Sequence, residues 1–261
     1  MSFDNITVVI NTFYSEDKIS ACLNSIPLNL KVVIVENSNN DKFKIDIEKR
    51  YSNVKCILTG ENLGYAKGNN LGISKVKTKF ALILNPDAKL ETKAIEQFLI
   101  SAEKVKDFSI IGPAKQDEFS ILNDNDFKED LFEVDNLKGF AMFLNLDEFK
   151  DIGFFDENFF IYLEEIDLCK RVKKKNKKIY LDKKIKISHL GGSSHSENIN
   201  YEMELSRNWH WMWSSFYYHK KHFGYMSGLM KILPKLLSSI IKFIIYLIIF
   251  NKFKSDVYKY R

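Results

Sequence analysis

Acidic side chains stand at the ends of two apolar segments in this sequence. Glu36 follows VVIV, and Asp87 follows FALILNP directly after Pro86. A carboxylate held at the end of a strand can ligate a divalent cation that bridges two phosphates, or accept hydrogen bonds from a ribose or a base. Both acids also fit an ordinary strand terminus or a Pro-Asp turn, so neither position decides the chemistry by itself.

A second group of acids lies in YLEEIDLCKR (162–171), where Glu164, Glu165 and Asp167 fall within four positions. On a helix Glu164 and Asp167 share a face, while Glu165 is turned about 100° away from Glu164. Repulsion within such a cluster would raise the pKa of one carboxyl group, which suits a general base. The first turn of an ordinary helix gives the same pattern, because acids there favour the helix dipole.

Glycine and histidine motifs are the other candidates for ligand contacts. ENLGYAKGNNLGIS (61–74) has a glycine at every fourth position, and such residues let backbone approach a ligand or a phosphate. The spacing matches neither the dinucleotide fingerprint nor the P-loop, so a glycine-rich helix without a ligand stays open. His189 and His195 flank GGSS (191–194), and each imidazole could be a metal ligand or a structural histidine.

Apolar strands that alternate with helices must position these residues. Continuous apolar strands separated by helices indicate an α/β domain with a parallel sheet, whose ligands lie beyond the carboxyl ends of the strands. Thr12, Glu36 and Asp87 lie at those predicted ends. The predicted elements are strands at 6–13, 32–37, 55–58, 80–87, 138–145 and 178–181, helices at 17–26 and 162–175, a loop or flap at 116–137, and an aromatic helical segment at 200–223.

Composition and charge narrow the classes of protein. The chain has 261 residues, 45% of them hydrophobic, which excludes disordered and collagenous classes. Its three cysteines match no disulfide or metal spacing, and the N-terminus has no signal-peptide pattern, so we expect a cytosolic protein. The net charge of +5 divides into −10 up to Cys169 and +15 after it, which indicates an anionic partner.

Seven motifs follow one another between about residues 6 and 222, and their order carries more information than any single motif. They are VVINTFY, VIVENSNND, ENLGYAKGNNLGI, LILNPDA, KGFAMFL, GFFDENFFIYLEEIDLCKR and ISHLGGSS. In content and order they resemble family 2 glycosyltransferases of the GT-A fold, and particularly their bacterial rhamnosyltransferase-like branch. The resemblance implies an α/β fold with a Rossmann-like mixed sheet flanked by helices, over residues 1–199. C-terminal amphipathic helices would follow over residues 200–261.

The resemblance also implies roles for individual positions. Glu165 matches the catalytic base, with Asp167 or Glu164 as alternatives. Asp87 matches the last acid of the family's metal-binding element, which here reads Asn85-Pro86-Asp87, and His189 is the natural additional ligand for Mg²⁺ or Mn²⁺. The implied donor-binding residues are Thr12, Glu36, Asn62, Gly64, Lys67, Gly68, Asn69 and Asn85.

The implied reaction is inverting transfer of a sugar from a nucleotide-diphosphate donor, dTDP-rhamnose or a UDP-hexose. The acceptor would be a hydroxyl of a glycan or a lipid-linked acceptor, in the assembly of a bacterial surface polysaccharide such as O-antigen or capsule. Two alternatives stay open from the residues alone. One is a non-enzymatic basic protein that binds a membrane or nucleic acid, although no nucleic-acid motif is present. The other is a sugar nucleotidyltransferase, although its usual glycine-rich loop is absent.

The basic C-terminal third suggests a membrane surface as the anionic partner, rather than nucleic acid. KRVKKKNKK (170–178) holds seven positive charges. Lys231, Lys235, Ser238 and Lys242 form a polar stripe on a predicted helix whose other positions are Leu, Ile and Phe. Pro234 and the lysines argue against a bilayer span and for an in-plane helix. We therefore expect peripheral attachment to the inner face of the bacterial inner membrane, with a buried packing helix or a dimer contact as the alternatives.

Overall fold

A computed structural model of the chain describes residues 2–114, 129–189 and 199–261. Most of the predicted loop at 116–137, and GGSS with His195, lie outside the described residues. The described chain forms two compact units, one made of residues 2–155 and 165–189 and the other of residues 156–164 and 199–261. The second unit thus includes a short segment that the sequence analysis assigns to the first part of the chain.

The first half of the large unit is a parallel α/β arrangement, as the apolar strands predict. Four parallel strands pair in the order β3-β2-β1-β4, and their residues are almost entirely buried. The strands are β1 (Ile6–Thr12), β2 (Lys31–Glu36), β3 (Val54–Leu58) and β4 (Phe80–Leu84), and the helices are α1 (Ile19–Asn24), α2 (Asp41–Arg50) and α3 (Gly64–Ile73).

The complete sheet is mixed and has eight strands. β8 (Ala141–Asn145) lies antiparallel between β4 and β6 (Phe108–Pro113). β9 (Lys178–Asp182) then runs parallel to β6, and β7 (Leu131–Glu133) closes the edge antiparallel to β9. The expectation of a wholly parallel sheet is therefore corrected for the second half, while the mixed GT-A sheet implied by the resemblance is confirmed.

Helices cover the sheet, and aromatic rings fill the space beneath them. α4 (Ala94–Lys104) buries Phe98 against Phe143 of β8, with ring centroids 5.1 Å apart. Phe143 also stacks on Phe108 of β6 at 5.9 Å. α5 (Glu164–Lys174) begins two residues later than predicted, because Tyr162 and Leu163 have left-handed backbone angles (φ 75° and 66°) that a helix excludes.

A separate two-stranded sheet lies beyond the end of β4. β5 (Ala88–Leu90) pairs antiparallel with β10 (Ile187–His189), so that His189 is the register partner of Ala88. This small sheet joins segments about a hundred residues apart. It fixes which side chains meet beside Asp87.

The second unit is helical. Its helices are α6 (Asn200–Phe223), α7 (Tyr225–Ile248) and α8 (Lys252–Lys259), in agreement with the predicted helical segment at 200–223. Within the described ranges, no helix is long and apolar enough to cross a membrane. Residues 156–164 are held to α6, since Trp213 Nε1 donates to the carbonyl of Asn158 at 3.0 Å and Ser214 Oγ to that of Ile161 at 2.8 Å.

Two lysines of the polar stripe on α7 lie beside aromatic rings of the other helices of its own unit. Lys235 Nζ lies 5.3 Å from the ring centroid of Trp211 in α6, and Lys242 Nζ lies 5.2 Å from that of Tyr258 in α8. The opposite face of α7 is apolar and exposed to solvent. Its exposed residues include Met226, Met230, Leu233, Leu237, Ile240, Ile241, Ile244 and Ile248.

The basic segment that starts at Lys170 is partly neutralised by acids of the large unit. Lys173 pairs with Glu133 at 2.5 Å, and Lys178 pairs with Asp107 at 2.6 Å. Lys177 lies 2.9 Å from an oxygen of Asp151. These pairs offset part of the positive charge of the segment, and its orientation toward an anionic membrane stays a prediction.

Candidate active site

Asp87 and His189 lie together although 101 residues separate them in the chain. His189 Nε2 is 3.3 Å from Asp87 Oδ1 because β10 pairs with β5, the strand that begins directly after Asp87. Asn85 completes the group, with its Nδ2 at 3.3 Å from the same imidazole nitrogen. The structure thus joins the three residues that the sequence analysis assigns to the metal and diphosphate side.

The Asp87 carboxylate is buried, with a side-chain exposure of 1%. Neither of its oxygens accepts a hydrogen bond from any residue in the part of the chain that the structure describes. A buried carboxylate without donors is unfavourable unless a cation or another ligand compensates it. Burial and the Asp87 charge together raise the pKa of the nearby Cys22 thiol to about 12, so this cysteine is an unreactive neighbour.

A short segment before β8 connects this group to Glu165. The Phe140 ring stacks on His189, with centroids 4.6 Å apart and an interplanar angle of 8°, and its carbonyl accepts a hydrogen bond from Asn85 N at 2.9 Å. The preceding residue, Gly139, packs against Glu165. A Cβ atom added at Gly139 would lie 3.5 Å from Glu165 Cβ, within van der Waals contact. Tyr65 of α3 donates its hydroxyl to the Gly139 carbonyl and holds the segment in place.

Glu165 has the environment of a general base. Loss of hydration on burial raises the pKa of its carboxyl group, and hydrogen bonds from the backbone of Glu165 and Ile166, with the Lys138 charge, oppose that shift only in part. A raised pKa increases the affinity of the carboxylate for a proton. The cause is desolvation, whereas the sequence analysis expected repulsion from neighbouring acids.

Asp167 has a different role. It is fully buried and forms an ion pair with Arg171, whose Nε lies 2.7 Å from Asp167 Oδ2. The Arg171 guanidinium also donates to the carbonyls of Ile152 at 2.9 Å and Gly153 at 3.2 Å. Asp167 therefore supports the turn before residue 156. Glu164, the other alternative to Glu165, is buried and is assigned to the second unit.

Thr12 and Glu36 are register partners at the carboxyl ends of β1 and β2, as predicted. Glu36 is buried, and its carboxylate accepts hydrogen bonds from Ser38 N at 2.8 Å and Asn40 N at 2.7 Å. The Thr12 hydroxyl donates to the Val35 carbonyl at 3.2 Å. Both side chains shape the turn beside the strand ends, and a direct contact of either with a nucleotide stays a prediction.

The glycine-rich segment forms α3 and packs closely on the sheet. A Cβ on Gly68 would lie 2.6 Å from Asn11 Nδ2, so the close approach of helix and strand explains this glycine, while Asn69 is completely buried. Asn62 accepts a hydrogen bond from Gly64 N at 3.0 Å at the start of the helix. Lys67 is half exposed and is the member of the predicted donor set on α3 that is accessible to a ligand.

Two asparagines that sequence reasoning missed connect the strands to α3. Asn11 Nδ2 donates to the Gly64 carbonyl at 2.9 Å, and Asn37 donates to Asn11 Oδ1. Leu63 N in turn donates to Asn37 Oδ1 at 3.2 Å. The asparagines that end VVIN and VIVEN were a signal for this in the sequence, because a buried amide at the end of an apolar strand needs hydrogen-bond partners.

The fold indicates the class of protein. A mixed sheet flanked by helices is the architecture of GT-A glycosyltransferases, and solved structures of that class are similar to this one. The mannosyltransferase PcManGT from Pyrobaculum calidifontis, solved with GDP-Man and Mn²⁺, matches with a TM-score of 0.62 and 11% identity over 98% of this chain and 84% of that one. TarS 1–349 from S. aureus, solved with UDP-GlcNAc, matches with a TM-score of 0.51 and 18% identity over 78% of this chain and 66% of that one.

The family follows from sequence. Residues 7–168 match the model of glycosyl transferase family 2, and the chain belongs to that family. The low-salt glycan biosynthesis hexosyltransferase Agl10 from Haloferax volcanii is 27% identical over 196 residues, which cover 66% of this chain and 63% of the relative. The match thus spans less than two thirds of that relative. Membership supports a transferase and removes the non-enzymatic and nucleotidyltransferase alternatives.

Proposed function

We propose that the protein is an inverting glycosyltransferase that moves a sugar from a nucleotide-diphosphate donor to a hydroxyl of a glycan or lipid-linked acceptor. The observation that carries the proposal is the connection of Glu165 to the Asp87 group through Gly139 and Phe140. A base and a diphosphate-side acid that are held in fixed positions by the same segment are what in-line displacement at a sugar carbon requires.

In the proposed reaction Glu165 accepts the proton of the acceptor hydroxyl. The hydroxyl oxygen forms a bond to the anomeric carbon while the bond from that carbon to the diphosphate oxygen breaks, and the nucleoside diphosphate leaves with the electron pair. The desolvated carboxylate is suited to this step, because its raised pKa increases its basicity. Phe140 and Tyr65 keep the segment beside Glu165 in place.

The residues beside Asp87 fit a divalent cation. Two buried oxygens lack hydrogen-bond donors among the described residues, and an imidazole nitrogen lies 3.3 Å away. Together with phosphate oxygens, one carboxylate and one imidazole suit Mn²⁺ or Mg²⁺, although no group of three or more His, Cys, Asp or Glu side chains among the described residues is placed to hold a metal ion by itself. When bound, the ion would neutralise charge on the leaving diphosphate.

The proposals for the donor and the biological role rest on the similar proteins. The solved relatives contain GDP-Man or UDP-GlcNAc, and Agl10 is a hexosyltransferase of glycan biosynthesis. We propose a nucleotide hexose or dTDP-rhamnose as donor and surface polysaccharide, O-antigen or capsule, as product.

A panel of nucleotide sugars with Mn²⁺ tests the proposed donor. We expect saturable thermal stabilisation by one nucleotide sugar, with transfer of its sugar to a glycan acceptor. Stabilisation by none of the donors would contradict it.

We also propose peripheral attachment to the inner face of the cytoplasmic membrane. The support is the exposed apolar face of α7, which carries Leu233, Leu237, Ile240 and Ile244 without cover from any described residue. Apolar patches of this length on a helix favour insertion at the boundary of headgroups and acyl chains. Vesicle flotation with Leu237→Asp and Ile244→Asp together should abolish membrane binding. Unchanged flotation of that variant would contradict attachment through this face.

A further inference from the structure

Within the helical unit, the cationic face of α7 lies beside a polar cavity. The cavity has a volume of about 370 Å³ and is lined by Tyr162, Glu204, Arg207, Asn208, Trp211 and Arg261. Lys235 adjoins it, because its ammonium lies over the Trp211 ring at 5.3 Å. The rings of Trp211 and Tyr162 meet in an edge-to-face arrangement, with centroids 5.4 Å apart, so aromatic side chains form one wall of the cavity.

Positive charge exceeds negative charge around this cavity. Arg207 and Arg261 line it and Lys235 adjoins it, whereas Glu204 is its one acidic lining residue and accepts a hydrogen bond from Asn208 at 2.9 Å. Burial lowers the pKa of Lys235, and the charges of Lys231 and Arg261 lower it further, so these cations lie close enough to repel one another. A bound anion would relieve that repulsion.

The placement of these cations on the unit matches a bilayer surface. The apolar face of α7 is opposite to Lys235, and a helix with its side chains is about 10 Å across. If the apolar face lies at the boundary of the acyl chains, the lysine face is at the depth of the lipid phosphates. Two guanidinium groups suit a phosphate, because their planar N–H donors match its oxygens.

We propose that this cavity binds the phosphate of an anionic lipid in the bilayer. Arg207, Arg261 and Lys235 supply the donors, and the lipid chains lie along the apolar face of α7. The site would make attachment selective for anionic lipid, where an apolar helix face alone binds neutral bilayers too. This inference rests on the proposed membrane attachment, and the test separates the two.

The test is flotation of the full chain on vesicles of phosphatidylcholine alone and of phosphatidylcholine with about one third phosphatidylglycerol. Arg207→Gln combined with Lys235→Gln removes two charges at the cavity. The matched control, Lys252→Gln combined with Lys254→Gln, removes two exposed charges on α8. Thermal melting shows that each variant is folded, and Arg261→Gln serves if the first pair unfolds.

We expect the cavity variant to lose about tenfold or more in affinity for vesicles with phosphatidylglycerol and little for neutral vesicles. The control pair should lose less than about threefold. Equal losses in the two pairs would overturn the site, because general electrostatic attraction would then explain them. Loss of binding in Leu237→Asp with Ile244→Asp, but none in the cavity variant, would keep the attachment and reject the site. Stabilisation of the unmutated chain by inorganic phosphate, with no binding to either vesicle, would reject both.

Discussion

Asp87 and Glu165 are both withdrawn from water, and their neighbours give them different chemistry. Asp87 lies against the His189 imidazole, which also contacts the Asn85 amide, and its oxygens have no hydrogen-bond donors among the described residues. Glu165 lies against Gly139, with Lys138 as the opposing charge. The first environment suits a cation beside a diphosphate, and the second suits a proton acceptor.

Asp87→Asn tests the first assignment without an activity assay. The amide keeps the size of the side chain and removes its charge, so Mn²⁺ affinity in the presence of a nucleoside diphosphate should fall about tenfold or more. Titration calorimetry measures this, with the exposed Asp147→Asn as the control. Unaltered Mn²⁺ affinity in Asp87→Asn would show that this carboxylate is not a ligand.

Glu165→Gln should stabilise the protein at neutral pH. The pKa of Glu165 is raised in the folded state from about 4.5. The protonated carboxyl group therefore does not reduce the free energy of unfolding at low pH, whereas its ionisation reduces it as pH rises through the folded-state pKa. Calorimetric melting from acidic to alkaline pH should show a higher Tm for Glu165→Gln than for the unmutated protein above that pKa, and equal Tm values below about 4.5, the pKa in the unfolded chain. The exposed Glu61→Gln is the control, and a lower Tm for Glu165→Gln throughout would contradict desolvation as the cause.

Single residues were predictable where a strand end or a family motif marked them. Asp87 and Glu36 stood out because they follow buried strands, and the pairing of Asp87 with His189 came from the resemblance alone, since no spacing in the chain indicates it. Phe140 went unrecognised because an apolar residue near a strand is uninformative before its tertiary partners are known, and the amide of Asn11 signalled a need for partners without indicating which residues they are. Desolvation of Glu165 likewise depends on tertiary packing.

At the scale of elements, buried strands were the most predictable part of the fold. β1, β2 and β4 follow the apolar runs closely because both faces of a parallel sheet are buried. Short elements such as β5 and β10 were not predicted, since three residues carry no periodicity and are stabilised only by each other. The spacing of the polar residues on α7 predicted one polar stripe, but periodicity does not show which neighbours Lys235 and Lys242 contact.

Gly72→Ala tests the packing of α3 on the sheet. A Cβ there would lie 2.4 Å from Val9 Cγ1 and 3.2 Å from Val35 Cγ2, so the substitution should reduce the free energy of unfolding by about 1–3 kcal/mol despite the better helix propensity of alanine. Chemical denaturation measures it. Lys75→Ala, just beyond the same helix and exposed, should change little, and a stabilised Gly72→Ala would mean that the helix is less closely packed.

For the molecule as a whole, the distribution of charge is more informative than its total. The basic residues around Lys173, Lys177 and Lys178 pair with acids of the large unit, so the +15 after Cys169 is not one free surface. Residues 199–261 hold ten basic and three acidic side chains, and one of these cations, Lys221, pairs with Asp156 at 2.7 Å. This excess of basic residues is a reason to propose the helical unit as the place where an anionic partner binds.

The activities of two variants at neighbouring glutamates test whether Glu165 is the general base. Sugar transfer and donor binding are measured for Glu165→Gln and for Glu164→Gln, which lies one position earlier and differs by the same atoms. We predict that Glu165→Gln loses transfer by about a thousandfold, within the range for general bases, while it binds the donor as the unmutated protein does. Glu164→Gln should retain most of its transfer. Transfer by Glu165→Gln within about twofold of the unmutated protein would show that Glu165 is not the general base.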